Sequence, residues 1–420
     1  MYRLFNLQVD RAEDRNAWYL VVEMFWASML ASAATFNAAF ALRLGATNTQ
    51  VSLLSSIPAL MAVLVSIPAG RFLNRQSRRK PYLLITLTLY RASFVLVALI
   101  PLLLIPDNTK AILVITTIVL FSCLAHFFNV GFIPMLSDVI SEGNRASVFS
   151  ARNIIYNLSL SVCGFLFGLW LENIAFPHNY QILYVFGFLC SLLSVYYLIK
   201  VNVPDSIASP SIVQTHSKIS ISKLLEMLKD FLSENKGFIR ITLNTLMHGI
   251  GVWAVAPLYV LHFVRDLGAN EGWLGLNSTA ATSTTILGFI IWRWIISRWG
   301  EPITLKRAIM WVGFYPFIVG LLPSLTSILV LTAINGLIVP GVNLSHFNTL
   351  LKVIPAENRP GYTAAYMTIA NIGAFICPLI GVSLANRFGL AATIIGCGVL
   401  CILGSSSFWL WPIHSQNKSS

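Results

Sequence analysis

Twelve apolar stretches, nearly all long enough to cross ~30 Å of hydrocarbon as a helix, succeed one another along this chain. The spans are expected near residues 18–42, 50–72, 82–105, 111–137, 149–171, 181–199, 239–263, 273–296, 304–322, 325–350, 363–385 and 390–411. Inside a bilayer every backbone N–H and C=O must be paired within the protein, and runs of this length do so as helices. The fold class is therefore an all-α membrane protein with twelve transmembrane helices. Only 10% of the 420 residues are charged and 56% are hydrophobic, whereas a soluble domain carries about 25% charged residues.

The net charge of +12 does not mark a nucleic-acid surface, because the basic residues are spread by side. Of the 28 Lys and Arg, only Arg43, Lys110, Arg265 and Arg387 fall at outward ends when the N-terminus is placed inside, and Arg91 lies within a span. The remainder are inward. That bias is an orientation signal and puts both termini in the cytoplasm. The N-terminal segment has no apolar core before a small-residue cleavage site, so the first span is expected to direct insertion. The six cysteines lie in apolar runs without metal-ligand spacing and read as packing residues.

Residues 200–238 separate two halves, 1–199 and 239–420, each with six spans. Within this linker Leu224, Leu225, Leu228, Phe231 and Leu232 share one face, which predicts a helix lying on the inner membrane surface. The halves repeat one another. Leu44-Gly45-Ala46 recurs as Leu267-Gly268-Ala269, and Asn74-Arg75 aligns with Ser297-Arg298 at the same offset. Asn144-Arg145, Asn157 and Cys163 recur as Asn358-Arg359, Asn371 and Cys377 at a second constant offset. Matches in this order point to duplication.

Between spans two and three stands Gly70-Arg71-Phe72-Leu73-Asn74-Arg75-Gln76-Ser77-Arg78-Arg79-Lys80. This resembles the inner-loop signature of the major facilitator superfamily, and Ser141-Glu142-Gly143-Asn144-Arg145 and Pro355-Ala356-Glu357-Asn358-Arg359-Pro360-Gly361 are similar to its second basic turn. The resemblance implies two pseudo-symmetric six-helix bundles and a secondary transporter working by alternating access in the bacterial inner membrane. It also implies a cytoplasmic gate at Gly70, Asn74, Arg75, Arg78, Asp138, Arg145, Ser297, Arg298 and Arg359, with Arg75 or Arg78 latched to Asp138. Two departures stand out. Asn74 replaces the family's acidic residue and can cap a helix but not relay charge. Span five carries Gly164-x-x-x-Gly168 without the Gly-Pro of the family's antiporters, and reads as a close helix-packing pair.

The resemblance assigns the pathway to spans one, four, seven and ten, and the polar residues fall there. Three histidines, His126, His248 and His346, sit inside spans four, seven and ten, with His346 nearer the inner mouth. Helical spacing puts Ser122, His126 and Asn129 on one face, and Asn244, His248, Gly251 and Tyr259 on another. Asn335 and His346 lie three turns apart with Asn343 close by, and Glu23 begins a stripe of small and polar residues in span one that includes Asn37. A charge near the bilayer centre costs about 2.5–3.5 kcal/mol, so such residues are expected to face protein or water. Glu23 is placed about 8 Å from the inner end, as a proton carrier or as the ion-pair partner of Arg91. A second reading of Arg91 is binding an anionic substrate. Each histidine is either a proton-relay group or a hydrogen-bonded structural one.

No phosphate-cradling loop and no His-Glu-x-x-His motif is present, which argues against an enzyme and calls for no cofactor. The expected partners are a small-molecule substrate, protons and the lipid bilayer, with the chain a monomer. Export of drug-like or amphipathic compounds is the first reading. Uptake of a sugar or small metabolite is the second, and a non-transporting sensor or scaffold on the same fold is the third.

Overall fold

The structure, a computed structural model of the chain, describes residues 12–203, 236–354 and 359–412. Helix α1 (Ala12–Ala34) and α2 (Asn37–Arg43) together make the first span. Spans two to six are α3 (Asn48–Asn74), α4 (Lys80–Leu99), α5 (Asp107–Val139), α6 (Glu142–Asn173) and α7 (His178–Lys200). Spans seven to twelve are α8 (Lys236–Leu261), α9 (Glu271–Trp299), α10 (Glu301–Leu321), α11 (Leu325–Val353), α12 (Arg359–Phe388) and α13 (Leu390–Leu410). Eleven of the twelve spans are long and apolar enough to cross a membrane. The twelfth long helix is α10, 21 residues with Lys306 and Arg307 in its first two turns. The surface helix expected within 200–238 lies outside the described residues.

Local chemistry sets the helix ends, and it repeats between the halves. Gly45 and Gly268, the centres of the duplicated Leu-Gly-Ala triplets, take φ of 85° and 68°. That left-handed conformation is open to glycine and closes a helix C-terminus; here Ala46 N–H bonds back to Ala41 O at 2.9 Å. The next helix is then capped in both halves. Thr47 Oγ1 accepts from Gln50 N and Gln50 Oε1 from Thr47 N, a reciprocal capping box. Asn270 Oδ1 accepts from Trp273 N at 2.8 Å. The amides of Asn157 and Asn371 each donate 2.8 Å bonds to the carbonyl four residues back, Asn153 O and Met367 O.

The first span is interrupted at Thr35–Phe36, where backbone bonds tighten to the three-residue kind. Thr35 Oγ1 donates to Ser32 O at 2.7 Å, so a side chain competes with the helical ladder there. A different break is repaired in α11. Pro340 has no N–H for the carbonyl of Gly336, and Thr285 Oγ1 donates to that carbonyl at 3.2 Å. Trp292 Nε1 donates to the next one, Leu337 O, at 2.8 Å.

The chain groups into two compact units, Met1–Ile212 with Ala269–Ser283, and Val213–Gly268 with Thr284–Ser420. In the first, α1 packs on α6 and α7, α4 on α5 and α7, and α3 on α5. In the second, α8 packs on α12 and α13, and α10 on α11 and α13. The second set of partners reproduces part of the first, shifted by six spans. The start of α9 belongs to the first unit. There Gly168 lies so close to Gly275 that an added Cβ would stand 2.9 Å from the Gly275 Cα. Gly164 faces Gly275, Ser278 and Thr279 one turn away, and Thr279 Oγ1 donates to Ser161 O at 2.7 Å. The Gly164–Gly168 pair thus packs against the opening turns of α9.

Candidate functional site

The first unit encloses a cluster of three charges. Glu23 of α1, Arg91 of α4 and Arg152 of α6 are 3%, 5% and 8% exposed. Glu23 Oε2 accepts from Arg152 Nη1 at 2.7 Å, and Glu23 Oε1 lies 3.6 Å from Arg91 Nη2. Ser194 Oγ on α7 donates to Oε1 at 2.7 Å. Arg91 Nη1 donates to Ser191 O at 2.7 Å, and Arg152 Nη1 also donates to Leu20 O. A buried carboxylate with several charge-assisted bonds is a favourable arrangement, and removing one member leaves uncompensated charge in a low dielectric.

The pairing of Glu23 with Arg91 is legible in the sequence; Arg152 is not, because the charge bias by side groups it with the inward cations. Its depth carries the missing signal. It lies ten residues into α6 (Glu142–Asn173), about 15 Å along the helix, as Glu23 lies eleven residues into α1 (Ala12–Ala34). Spans one and five run in the same direction, so Arg152 reaches the level of Glu23. With two guanidiniums on one carboxylate, Glu23 serves as a counter-ion in this conformation.

In the second unit the buried polar side chains are hydroxyls, an amide and imidazoles. His248 Nδ1 is 3.0 Å from Ser405 Oγ and 3.4 Å from Cys401 O on α13. Asn244 Nδ2 donates to Trp411 O at 3.1 Å just past the end of that helix. An added Cβ on Gly251 would sit 2.5 Å from Cys401 Sγ and 2.6 Å from Cys397 O. The row Asn244–His248–Gly251, expected to line a pathway, packs in this structure along the seam between α8 and α13. The spacing correctly placed these residues on one face, but an amide, an imidazole and a glycine suit a close helix crossing as well as a wet wall. Tyr259, from the same row, packs edge-on against Tyr315 at 5.5 Å, and the Tyr315 hydroxyl is 3.0 Å from Thr332 Oγ1.

His346 of α11 has a different setting. Its Nε2 is 2.7 Å from Thr245 Oγ1 and 3.3 Å from the Tyr366 hydroxyl. Thr245 Oγ1 is also 2.7 Å from Ile241 O. When Thr245 donates to that carbonyl, the imidazole must supply the proton for the shared bond; when it donates to Nε2, it does not. Two proton arrangements therefore fit one geometry.

The remaining polar residues are dispersed. Asn37, just past the break in the first span, accepts from the Tyr184 hydroxyl at 2.9 Å. Ser122 is buried and back-bonds to Val119 O, His126 is half-buried against Pro58 of α3, and Asn129 is exposed. Asn343 is exposed, whereas Asn335 Oδ1 and Ser345 Oγ are buried without a hydrogen-bond partner. Sequence reading also passed over His262, 4% exposed in a π-helical turn (His262–Asp266), with Nδ1 2.7 Å from Asp266 Oδ2. Its position at the last turn of the seventh span was the available signal.

The basic loop residues close helix C-termini. Arg79 Nε donates to Leu73 O of α3 at 3.1 Å. Lys80 Nζ donates to Ile199 O and Val201 O at the end of α7, both at 2.6 Å. Arg145 donates to Ser137 O and Ile140 O at the end of α5, and Arg240 Nη1 to Pro412 O beyond α13. Cations there satisfy orphan carbonyls and oppose the negative end of the helix dipole. Among the gate residues, Gly70 approaches Val130 of α5, while Asn74, Arg75, Arg78 and Asp138 are exposed. Arg75 and Asp138 are not within ion-pair distance of each other. Ser297 back-bonds to Trp294 O, and Arg298 lies 3.8 Å above the Trp294 ring. The side chain of Arg359 is outside the described residues. At the opposite end of the first unit, Arg43 grips Glu271 with two 2.7 Å bonds, and the Tyr180 hydroxyl adds a third to Glu271 at 3.2 Å.

Comparison with known proteins converges on one family. The family model described as Major Facilitator Superfamily matches residues 21–236 and 241–420. Among curated proteins, multidrug resistance protein MdtG of Serratia proteamaculans (strain 568) is 27% identical over 156 residues, 35% of this chain and 38% of that protein. MdtG of Yersinia enterocolitica serotype O:8 / biotype 1B is 25% identical over 171 residues, 38% of this chain and 41% of that protein. The chain thus matches about two fifths of the length of these relatives. Among solved structures, a point mutant of the nucleoside transporter NupG superposes with a TM-score of 0.71 at 12% identity, covering 94% of this chain and 99% of that one. An inward-facing bacterial homolog of the lysosomal transporter Spinster gives 0.65, also at 12%, over 96% and 97%. With the family model matched across nearly the whole chain on an all-helical architecture, this protein belongs to the major facilitator superfamily.

Proposed function

We propose that this chain is a secondary active transporter of the bacterial inner membrane that exports amphipathic, drug-like organic molecules in exchange for protons. The observation that carries the transporter reading is the family match over residues 21–236 and 241–420. The named role of the MdtG relatives, multidrug resistance, favours export as the direction. In this reading the two six-span halves, 1–199 and 239–420, alternate access around a path that a monomer provides, with residues 200–238 joining them and both termini in the cytoplasm. The basic turn from Arg75 to Lys80 and the turn at Arg145 form the inner gate. Its latch, Arg75 or Arg78 with Asp138, closes in a conformation other than the one described here.

The solute meets polar groups that the fold leaves underused. Asn335 Oδ1 and Ser345 Oγ are buried acceptors without partners, and such groups are unfavourable unless something completes them. The exposed amide of Asn343 on the same helix adds an adaptable donor and acceptor. Proton coupling is assigned to His346, because its Nε2 meets hydroxyls from two other spans, Thr245 and Tyr366, and imidazole titrates near neutral pH in water. Glu23, bound to two arginines, is the counter-ion of its cluster rather than the carrier.

The test is flux in proteoliposomes with a panel of neutral, cationic and anionic amphiphiles, with and without an imposed pH gradient. Gradient-driven accumulation of at least one compound, abolished by His346→Ala, is the expected result. Flux equal to that of empty liposomes for the whole panel would remove the export reading, and flux indifferent to the gradient would remove proton coupling.

A further inference from the structure

We propose that the Glu23–Arg91–Arg152 cluster is a binding site for an amphipathic organic monoanion, such as an aromatic carboxylate. Two guanidiniums and one carboxylate give the enclosed group a net charge of +1. Arginine does not shed its proton, and unpaired charge in a low-dielectric interior is strongly unfavourable. The cluster therefore has an unfilled requirement for one negative charge.

Arg152 is the most accessible member of the cluster. The side chains of Glu23 and Arg91 are 4% and 7% exposed, and that of Arg152 is 10% exposed, so the edge nearest solvent is cationic. The Nη2 of Arg152 spends its hydrogen bond on Met24 Sδ at 3.4 Å. A thioether is a weak acceptor, and a carboxylate oxygen would replace it at a gain. Beside this donor stands an aromatic wall. Arg152 Cζ lies 5.0 Å from the centroid of the Phe132 ring, which stacks on Phe128 at 4.8 Å, and half-buried Phe149 packs on the same apolar cluster. A cation edged by aromatic faces suits a ligand with an anionic head and a flat apolar body. Neutral and cationic amphiphiles lack the group that answers the surplus charge.

This deepens the transport reading by naming a solute class, but binding is measurable without flux. Calorimetric titration of the purified full-length protein in nanodiscs would compare 2-naphthoate, 2-naphthalenemethanol and 2-naphthylmethylamine, which share one apolar body. Saturable binding of the naphthoate with at least a tenfold preference over the other two is expected. Arg152→Gln should weaken naphthoate at least tenfold and Arg152→Lys should weaken it less, while Lys110→Gln, at an exposed surface pair, should not change it. Equal affinity for all three compounds, no binding of naphthoate, or unchanged binding in a folded Arg152→Gln variant would each overturn the proposal. If Arg152→Gln does not fold, the wild-type comparison of the three compounds decides alone. Gradient-driven flux of a neutral compound with no naphthoate binding would overturn this inference and leave the transporter reading standing.

Discussion

The α1·α7 seam of the first unit and the α8·α13 seam of the second hold equivalent places in a repeated topology, yet their polar contents differ in kind. In each, a side chain from the opening span of a half meets a serine hydroxyl on its closing span: Glu23 with Ser194, and His248 with Ser405. The histidine closes its seam with neutral partners. The glutamate needs Arg91 and Arg152 from two further helices, and the pair overshoots to +1. Duplication therefore preserved the packing scheme while leaving the electrostatics free to diverge. One seam is closed by buried charge and the other by neutral groups.

The largest expected effect is on the charged side. Glu23→Gln leaves two buried guanidiniums facing a neutral amide, and should lower stability by about 3–5 kcal/mol, read from thermal or detergent-induced unfolding of the purified protein. A loss under ~1 kcal/mol would mean the cluster is solvated and the contrast between seams is weaker than drawn.

The next effect falls on the neutral seam. Gly251→Ala drives a methyl into the Cys397 carbonyl and the Cys401 backbone, so a loss of about 1–3 kcal/mol is expected in the same assay. The matching change in the charged seam, Gly187→Ala, should be milder. Its Cβ meets Leu30 Cδ1, the end of a flexible side chain, at 3.0 Å and the Leu30 Cα at 3.3 Å. Should Gly187→Ala prove the more damaging of the two, the order of helix closeness in the seams would be reversed.

The smallest effect belongs to His248→Asn, expected at about 1 kcal/mol, the worth of one hydrogen bond. Ser405 Oγ keeps contacts with Cys401 O at 2.7 Å and Ile309 O at 3.0 Å, so it is not orphaned. Transport should persist in this variant. Its loss with normal stability would return His248 to the pathway.

Much of this was readable from residues alone, and the failures share a cause. Span positions followed from apolar length, and the Leu44-Gly45-Ala46 repeat found its reason in two left-handed glycines. Gly164 and Gly168 met a neighbouring backbone, as small residues four apart do. The candidate site was only half legible. Helical spacing shows which residues share a face but not what that face touches, so Asn244 and His248 read equally as cavity lining and as seam. Arg152 was missed because sorting cations by side discards their depth. The Thr245–His346–Tyr366 contact joins three spans, and no periodicity within one span reveals it.

The contrast between the seams rests on Glu23 being the shared counter-ion of two arginines. A double-mutant cycle tests this directly, comparing the unfolding free energies of wild type, Glu23→Gln, Arg152→Gln and the doubly substituted chain. We predict that Arg152→Gln restores part of what Glu23→Gln removes, with a coupling energy of at least about 1 kcal/mol. Losses that simply add, within ~0.5 kcal/mol, would contradict the account.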